Sequence, residues 1–335
     1  MRLSLILTVL NEEATLRPLL DSLLTQTRAP DEIVIADGGS TDGTLDILRE
    51  YSARLPIRIV AAPHTTIAQG RNAAIRATTG DVIAVTDGGV RAKREWLEEL
   101  TRPFVEGGES LHTPHSTLHA TAGFFAADGD TPFDMAMGAT VLPEAQEIDP
   151  PTYLPSSRSV AFRKEVWERV GGYPEWLDFS EDVVFDLNVR REFGPFVFAP
   201  EAIVHFRPRS SLRSFFKQYF QYARGDGKAN LFPRLHAMRY LTYLVVAPLI
   251  AYAAIAVSPW MFLLYLVGGL AYVRMPYQRL WPRLRALSFG GKLTALLSVP
   301  LIRVVGDVAK MVGYPIGVAW RFKRGSGGAG EQGRG

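Results

Sequence analysis

Cysteine is absent from the 335 residues. That excludes disulfides, zinc–thiolate sites and thiol nucleophiles, and nothing points to an oxidising compartment. A large charge imbalance is also missing, since the formal net charge is only +3. Arg and Lys gather near the apolar C-terminal third, where they flank hydrophobic runs, so a lipid surface accounts for them better than nucleic acid does. The segment up to about Arg213 lacks long apolar runs and reads as mixed soluble sequence. The opening MRLSLILTVL has only a short apolar stretch and no small-residue cleavage site, and Asn11-Glu12-Glu13 follows at once. It reads as a first buried strand rather than a secretory signal.

What is present is enough for a substantial core, with 47% hydrophobic residues. Short β-rich runs at residues 3–10, 32–36, 57–61 and 81–86 alternate with helix-like stretches at 14–24 and 44–54, whose apolar residues recur at three and four. Strand alternating with helix predicts a parallel sheet covered on both faces, with ligands beyond the carboxyl ends of its strands. Polar groups collect there. Thr8-Val9-Leu10-Asn11-Glu12 ends the first strand, Asp37-Gly38-Gly39-Ser40-Thr41-Asp42-Gly43-Thr44 the second, and Thr86-Asp87-Gly88-Gly89 the fourth. Residues 107–155, rich in Gly, Pro, His and Thr, read as irregular loops over a site. Regularity returns as a strand and short helix over 159–170, a helix over 181–193 and a strand over 195–206.

Residues 240–273 are almost unbroken apolar sequence. A spanning helix needs roughly 20 apolar residues, with about 17 as the lower end. Residues 240–257 and 260–273, joined at Ser258-Pro259, read as a two-span hairpin. Arg234 and Arg239 precede it and Arg274, Arg279, Arg283 and Arg285 follow it, which places both ends on the cytoplasmic side. Residues 287–320 carry Lys292, Arg303, Asp307 and Lys310 within an apolar stretch, so an interfacial or re-entrant helix competes with a third span. The expected organisation is a catalytic domain over 1–213, an amphipathic interface and acceptor helix over 214–239, the hairpin over 240–273, a basic segment with a further membrane helix over 274–324, and a disordered tail over 325–335.

The loop ADGGSTDGT suits a phosphate-bearing ligand, because glycines permit close backbone approach and a helix N-terminus favours anions. A plain turn in which Asp42 or Thr44 caps the helix explains it equally well. A calcium loop is excluded by the missing ligand spacing and terminal glutamate. The ordered series TVLNEE, ADGGSTDGT, GRNAA, GDVIAVTDGG and FSEDVVFDLNVR resembles the family 2 glycosyltransferases over roughly residues 1–225. PSSRSVAFRKEVWERVGGYPEWL and QYFQYARGDG are similar to the membrane-associated, succinoglycan-type exopolysaccharide branch. The resemblance implies an α/β, GT-A-type nucleotide-sugar-binding domain with a mostly parallel central sheet, followed by C-terminal membrane helices.

It also implies a chemistry. An acceptor hydroxyl attacks the anomeric carbon of a nucleotide sugar with inversion, which calls for a base on one side and stabilisation of the departing nucleoside diphosphate on the other. The resemblance carries the base onto Asp182, the nucleobase-reading carboxylate onto Asp37, further nucleotide contacts onto Thr8, Asn11, Glu12 and Arg71, and a ribose or metal contact onto Asp87. Where family members place a second aspartate, this chain has Gly89. A magnesium or manganese ion would then rest on Asp87, diphosphate oxygens and water, with His205 as a second protein ligand. Trp176, Glu181, Gln218 and Tyr222 are the acceptor candidates. The partners implied are a nucleotide-sugar donor, a lipid-linked or membrane-proximal saccharide acceptor and the cell membrane, with the catalytic domain on its cytoplasmic side.

Each residue also has a plain structural role open to it. Ser180, Glu181 and Asp182 would cap a helix, Asn11 would cap another, and Arg71 would be an ion-pair partner. His205 would be a structural histidine, Trp176 a core residue, and the helix bearing Gln218 and Tyr222 a membrane-surface helix. Two other functions compete. A nucleotidyltransferase should carry a Gly/Arg/Lys-rich loop after its first strand, and TVLNEE has none. A catalytically degenerate membrane subunit that binds saccharide or scaffolds a synthase is suggested by Gly89.

Overall fold

The computed structural model describes residues 1–106 and 118–327, with side chains to 324. The chain divides into two compact units, one of Met1–Ala127 with Pro143–Arg207, the other of Asp128–Leu142 with Pro208–Gly335. In chain order the first unit contains β1 (Leu3–Val9), α1 (Leu16–Leu24), β2 (Glu32–Asp37), α2 (Thr44–Tyr51), β3 (Ile57–Ala61), α3 (Ile67–Ala77), β4 (Val82–Val85), β5 (Val90–Ala92), α4 (Trp96–Glu106) and β6 (Ala120–Ala127). The second unit contributes α5 (Pro132–Val141), after which the first resumes with β7 (Val160–Arg163), α6 (Lys164–Val170), α7 (Glu181–Phe193) and β8 (Val197–Phe206). The second unit then continues through α8 (Leu212–Ala229), α9 (Pro233–Leu241), α10 (Ala247–Ala256), α11 (Leu263–Leu280) and α12 (Phe289–Gly327).

The first unit is an eight-stranded sheet of order β3-β2-β1-β4-β7-β6-β8-β5. Its inner strands read as continuous apolar runs because both faces are covered. Successive residues alternate sides: Leu3, Leu5, Leu7, Ile33, Ile35, Val82 and Ala84 enter one core with residues of α1, α2 and α4. Ile6, Val34, Ala36, Ile83 and Val85 enter the other, with residues of α3, α6 and α7. The expected parallel majority holds, by four strand pairs to three among the described residues, but within a mixed sheet. β1 pairs parallel with β2 and β4, β2 with β3, and β6 with β8, but β4–β7, β6–β7 and β5–β8 are antiparallel. The sheet is mixed. Helices still lie between the strands after β5, but β7 runs antiparallel to both of its neighbours, β4 and β6, so a helical connection here does not by itself impose parallel pairing.

Residues 107–155 are likewise more regular than expected. Residues 107–117 lie outside the described residues, but the remainder holds β6 and α5. Thr131 caps α5 by accepting from Asp134 N at 3.0 Å, and Pro132 occupies its first turn. This was a readable start signal.

In the second unit α8 and α12 approach through glycine. A Cβ at Gly313 or Gly317 of α12 would collide with the carbonyl of Phe220 or Arg224 on α8, and one at Gly227 with the carbonyl of Tyr314. Pro233–Ala256, comprising α9, a π-helical turn at Thr242–Val246 and α10, is the single helical stretch among the described residues long and apolar enough to cross a membrane. Leu249, Tyr252, Ile255 and, on α11, Leu266 and Val267 are exposed. Of the expected disordered tail, residues 328–335 lie outside the described residues, and α12 carries the backbone to Gly327.

Candidate active site

The three loops beyond β1, β2 and β4 support one another. Asp37, the last residue of β2, is 6% exposed and accepts from the backbone of Gly39 at 3.1 Å and Ser40 at 3.1 and 3.2 Å. Its carboxylate therefore shapes the glycine loop, in which Gly39 has φ +96°, open to glycine at little cost. Asn11 clamps the loop from β1, donating its backbone N–H to Ser40 Oγ at 3.0 Å and accepting from Thr41 N at 2.8 Å. Glu12 donates its backbone N–H to Thr44 Oγ1 at 2.8 Å, and its carboxylate accepts from the Thr15 hydroxyl. Thr8 abuts α3 closely enough that a Cβ at Gly70 would meet its methyl at 2.9 Å. Of the GRNAA motif, Gly70 thus permits the approach that carries Arg71 under the sheet edge.

Arg71 is 4% exposed. Its Nη1 donates to Glu181 Oε1 at 2.6 Å and its Nη2 to Asp87 Oδ1 at 2.9 Å, while the guanidinium lies 5.4 Å from the Tyr173 ring centroid. A single buried cation joins the end of β4 to the start of α7. Burial lowers the Arg71 pKa, but the charges of Asp87 and Glu181 more than reverse this and hold it above the usual arginine range. Burial raises the Asp87 carboxyl, yet Arg71 and Arg158 outweigh it and keep the group below the ordinary aspartate value. Burial pushes Glu181 up to about 7, with Arg71 opposing and Asp182 adding to the rise.

Asp182 lies in the first turn of α7 and accepts from Val183 N at 2.9 Å. Ser180 before it has φ +63°, a costly backbone for a serine, and its side chain makes no capping bond. Four residues on, Asp186 shares the helix face. It is 1% exposed, its Oδ2 has no hydrogen-bond partner among the described residues, and burial and the Asp182 charge raise it well above the usual value.

Arg158 has no assigned role in the sequence reading. Its Nε lies 3.6 Å from Asp87 Oδ2, and its guanidinium sits 4.9 Å from the Phe206 ring centroid. The placement follows from register. Val85 pairs with Val160 in the antiparallel β4–β7 ladder, so a residue two after the first faces a residue two before the second. A pairing across about 70 positions leaves no local sequence signal.

Trp176 is 42% exposed rather than core and lines a hollow of about 630 Å³ with Asn72, Trp167, Tyr173, Glu175 and Asn188. Asn72 holds that loop in place, donating to Tyr173 O at 2.8 Å and Glu175 Oε1 at 2.9 Å and accepting from Trp167 Nε1 at 3.0 Å. Gln218 and Tyr222 belong to the second unit, where Gln218 Nε2 donates to Tyr222 OH at 2.8 Å. His205 lies on β8 opposite Arg91 of β5, on the sheet face away from Val204 and Phe206. Among the described residues no three His, Asp or Glu side chains converge as a metal-ligand set. A Cβ at Gly89 would meet nothing within 4 Å, so the space next to Asp87 is open.

A mixed sheet bearing loops of this kind is the GT-A glycosyltransferase architecture. A mannosyltransferase from Pyrobaculum calidifontis, solved in complex with GDP-Man and Mn2+, superposes with a TM-score of 0.58 at 21% identity, over 92% of this chain and 87% of that one. Residues 4–132 match the model of glycosyl transferase family 2, so this part of the chain is a family 2 glycosyltransferase domain. The succinoglycan biosynthesis protein ExoA of Rhizobium meliloti is 27% identical over 270 residues, 77% of this chain and 79% of ExoA. Validoxylamine A glucosyltransferase of Streptomyces hygroscopicus subsp. limoneus is 30% identical over 168 residues, 44% of this chain and 36% of that protein. The chain thus spans little more than a third of this last relative.

Proposed function

We propose that the chain is a membrane-attached, inverting glycosyltransferase that moves a sugar from a nucleotide-sugar donor to a lipid-linked or membrane-proximal saccharide acceptor. The observation that carries this reading is the buried Arg71 bridge, because it sets the carboxylate at the end of β4 and the acidic start of α7 at a fixed separation. A donor carboxylate and a base must be held rigidly in that way for in-line displacement.

In this reading Asp182 takes the proton of the acceptor hydroxyl as that oxygen attacks the anomeric carbon, and the nucleoside diphosphate leaves from the opposite face. With Asp182 as a single base and no covalent intermediate, one displacement inverts the anomeric carbon. Asp37, with Thr8, Asn11 and Glu12, receives the nucleoside end, while the glycine-loop N–H groups of Gly39, Ser40 and Thr41 are held by Asp37 and Asn11 and so fix the loop rather than bind phosphate. Asp87 contacts ribose or metal. The open space at Gly89 fits a cation accompanied by diphosphate oxygens, and an oxygen and imidazole donor set suits magnesium or manganese. Asp87 and His205 would hold it. When bound, such an ion supplies charge neutralisation of the leaving diphosphate. Arg158 and Arg71 supply further fixed positive charge at the same strand end. Glu181 and Trp176 line the acceptor side, the exposed indole suiting a sugar ring; on α8 of the second unit, Gln218 and Tyr222 are further acceptor-binding candidates.

Membrane attachment rests on Pro233–Ala256 and the exposed apolar residues of α10 and α11. The two-span hairpin, with the catalytic unit on the cytoplasmic side, remains the reading that the flanking arginines favour. Substitution tests the mechanism. Asp182→Asn should abolish sugar transfer while calorimetric titration with nucleoside diphosphate stays within about twofold of wild type. Full transfer activity in that variant would remove Asp182 from the reaction.

A further inference from the structure

The hollow of about 630 Å³ beside Trp176 takes no part in the displacement, and all its lining residues belong to the first unit. Its walls are fixed by hydrogen bonds. Asn72, buried next to Arg71, accepts from the Tyr173 backbone N–H at 2.9 Å as well as from Trp167, which ties the 171–176 loop to α3 and α6. Gly172 has φ +76°, and a Cβ there would lie 2.9 Å from both Asn72 Oδ1 and Trp167 Nε1. Trp176 nevertheless stands exposed in a loop that buries Tyr173 and Leu177. A large aromatic held in water on a fixed loop forgoes apolar burial that a bound ring would restore.

The lining selects a chemistry. Pockets of roughly 300–1,000 Å³ take small ligands through apolar walls bearing a few placed polar groups. Here the indoles of Trp167 and Trp176 supply apolar surface, and Arg76, Glu168, Glu175 and Asn188 supply planar donors and acceptors. A pyranose has the matching pattern, with C–H faces for an indole and rim hydroxyls for amide and carboxylate groups. The Asn188 side chain makes no hydrogen bond among the described residues, so its amide is open to a ligand. Charge argues against a phosphate or a uronate. Two lining carboxylates stand against one guanidinium, and Arg76 Nη2 already lies 3.4 Å from Glu175 Oε1.

Asn188 follows Asp182 by six residues, about 9 Å along α7, so a ring held against Asn188 is not the ring whose hydroxyl meets Asp182. The two places are nonetheless joined, since Asn72 adjoins Arg71 in α3 and the Trp176 loop runs directly into Glu181. We propose that the hollow binds a neutral sugar ring of the acceptor one or more residues away from the reacting ring, so that the transferase extends an oligosaccharide rather than a single sugar. The proposal rests on the transferase reading and adds to it the length of acceptor required.

The full chain in neutral detergent, without donor, is titrated with four-ring oligomers of glucose, mannose, galactose and N-acetylglucosamine and with each monosaccharide, followed by NMR of the sugar. At least one tetramer should bind saturably and more tightly than its monosaccharide, with its C–H resonances moved upfield by the indole. Trp176→Ala and Asn188→Ala should each weaken that binding about tenfold, the loss of one anchoring contact, and Trp176→Ala should also abolish the upfield movement. Tetragalacturonate should bind more weakly than the neutral tetramer. No saturable binding in any series, unchanged binding in either variant, or equal affinity for tetragalacturonate would each overturn the proposal. Should Trp176→Ala fail to fold, retention of the upfield movement in Trp176→Phe together with weakened binding in Asn188→Ala decides the matter. No donor is present and transfer is not the readout, so a failure here leaves the base assignment standing, and the Asp182→Asn test is read separately.

Discussion

Arg71 Nη1 lies 2.6 Å from Glu181 Oε1, although 110 residues separate them in the chain. Because the same guanidinium holds Asp87, its removal leaves two carboxylates facing each other in a water-poor site. Arg71→Met should therefore cost about 3–5 kcal/mol of stability, the range for breaking a buried pair. Adding Glu181→Gln should recover part of that loss. Urea denaturation of both variants measures it, and an uncoupled, additive pair of losses would contradict the bridge.

Asp186 makes a pH-dependent contribution. Its folded pKa is raised by burial and by Asp182. The stability it supplies is therefore complete below the unfolded value of about 3.9 and is lost as pH rises through the folded value. Asp186→Asn mimics the protonated acid. Denaturation between pH 5 and pH 9 should show a flatter alkaline limb in the variant than in wild type.

At Gly89 there is room for a carboxylate. Gly89→Asp meets no steric opposition and should fold with stability within about 0.5 kcal/mol of wild type. It should also steepen the manganese dependence of donor binding, as measured by titration with and without the metal. An unchanged metal dependence would show that the missing aspartate is not what limits the ion.

The α8–α12 seam makes a contrast between glycines. Gly317→Leu would drive a side chain into the α8 backbone at Arg224, whereas Gly268→Leu meets nothing within 4 Å. The first should lose at least about 1–3 kcal/mol, as overpacking does, and the second almost none. Melting curves in detergent distinguish them.

Much of this protein was legible in its residues. The apolar period of β1 and α1, the helix at Glu181–Phe193 and the polar strand ends at Asn11, Asp37 and Asp87 all arise from interactions among neighbours in the chain, which local pattern records. β6 was not legible, because Ala120–Ala127 is built of small residues around Gly123 with no clear alternation. α5 was missed although Thr131 and Pro132 marked its start.

What the sequence alone determined was the set of chemical groups and the local elements that carry them. The tertiary structure decided which groups meet. The antiparallel turn of β7 against β4 brings Arg158 to Asp87, and the packing of α3 under the sheet takes Arg71 out of solvent and onto Glu181. Both depend on pairings between distant segments, where burial makes each partner's charge matter and where no periodicity in the chain announces the contact.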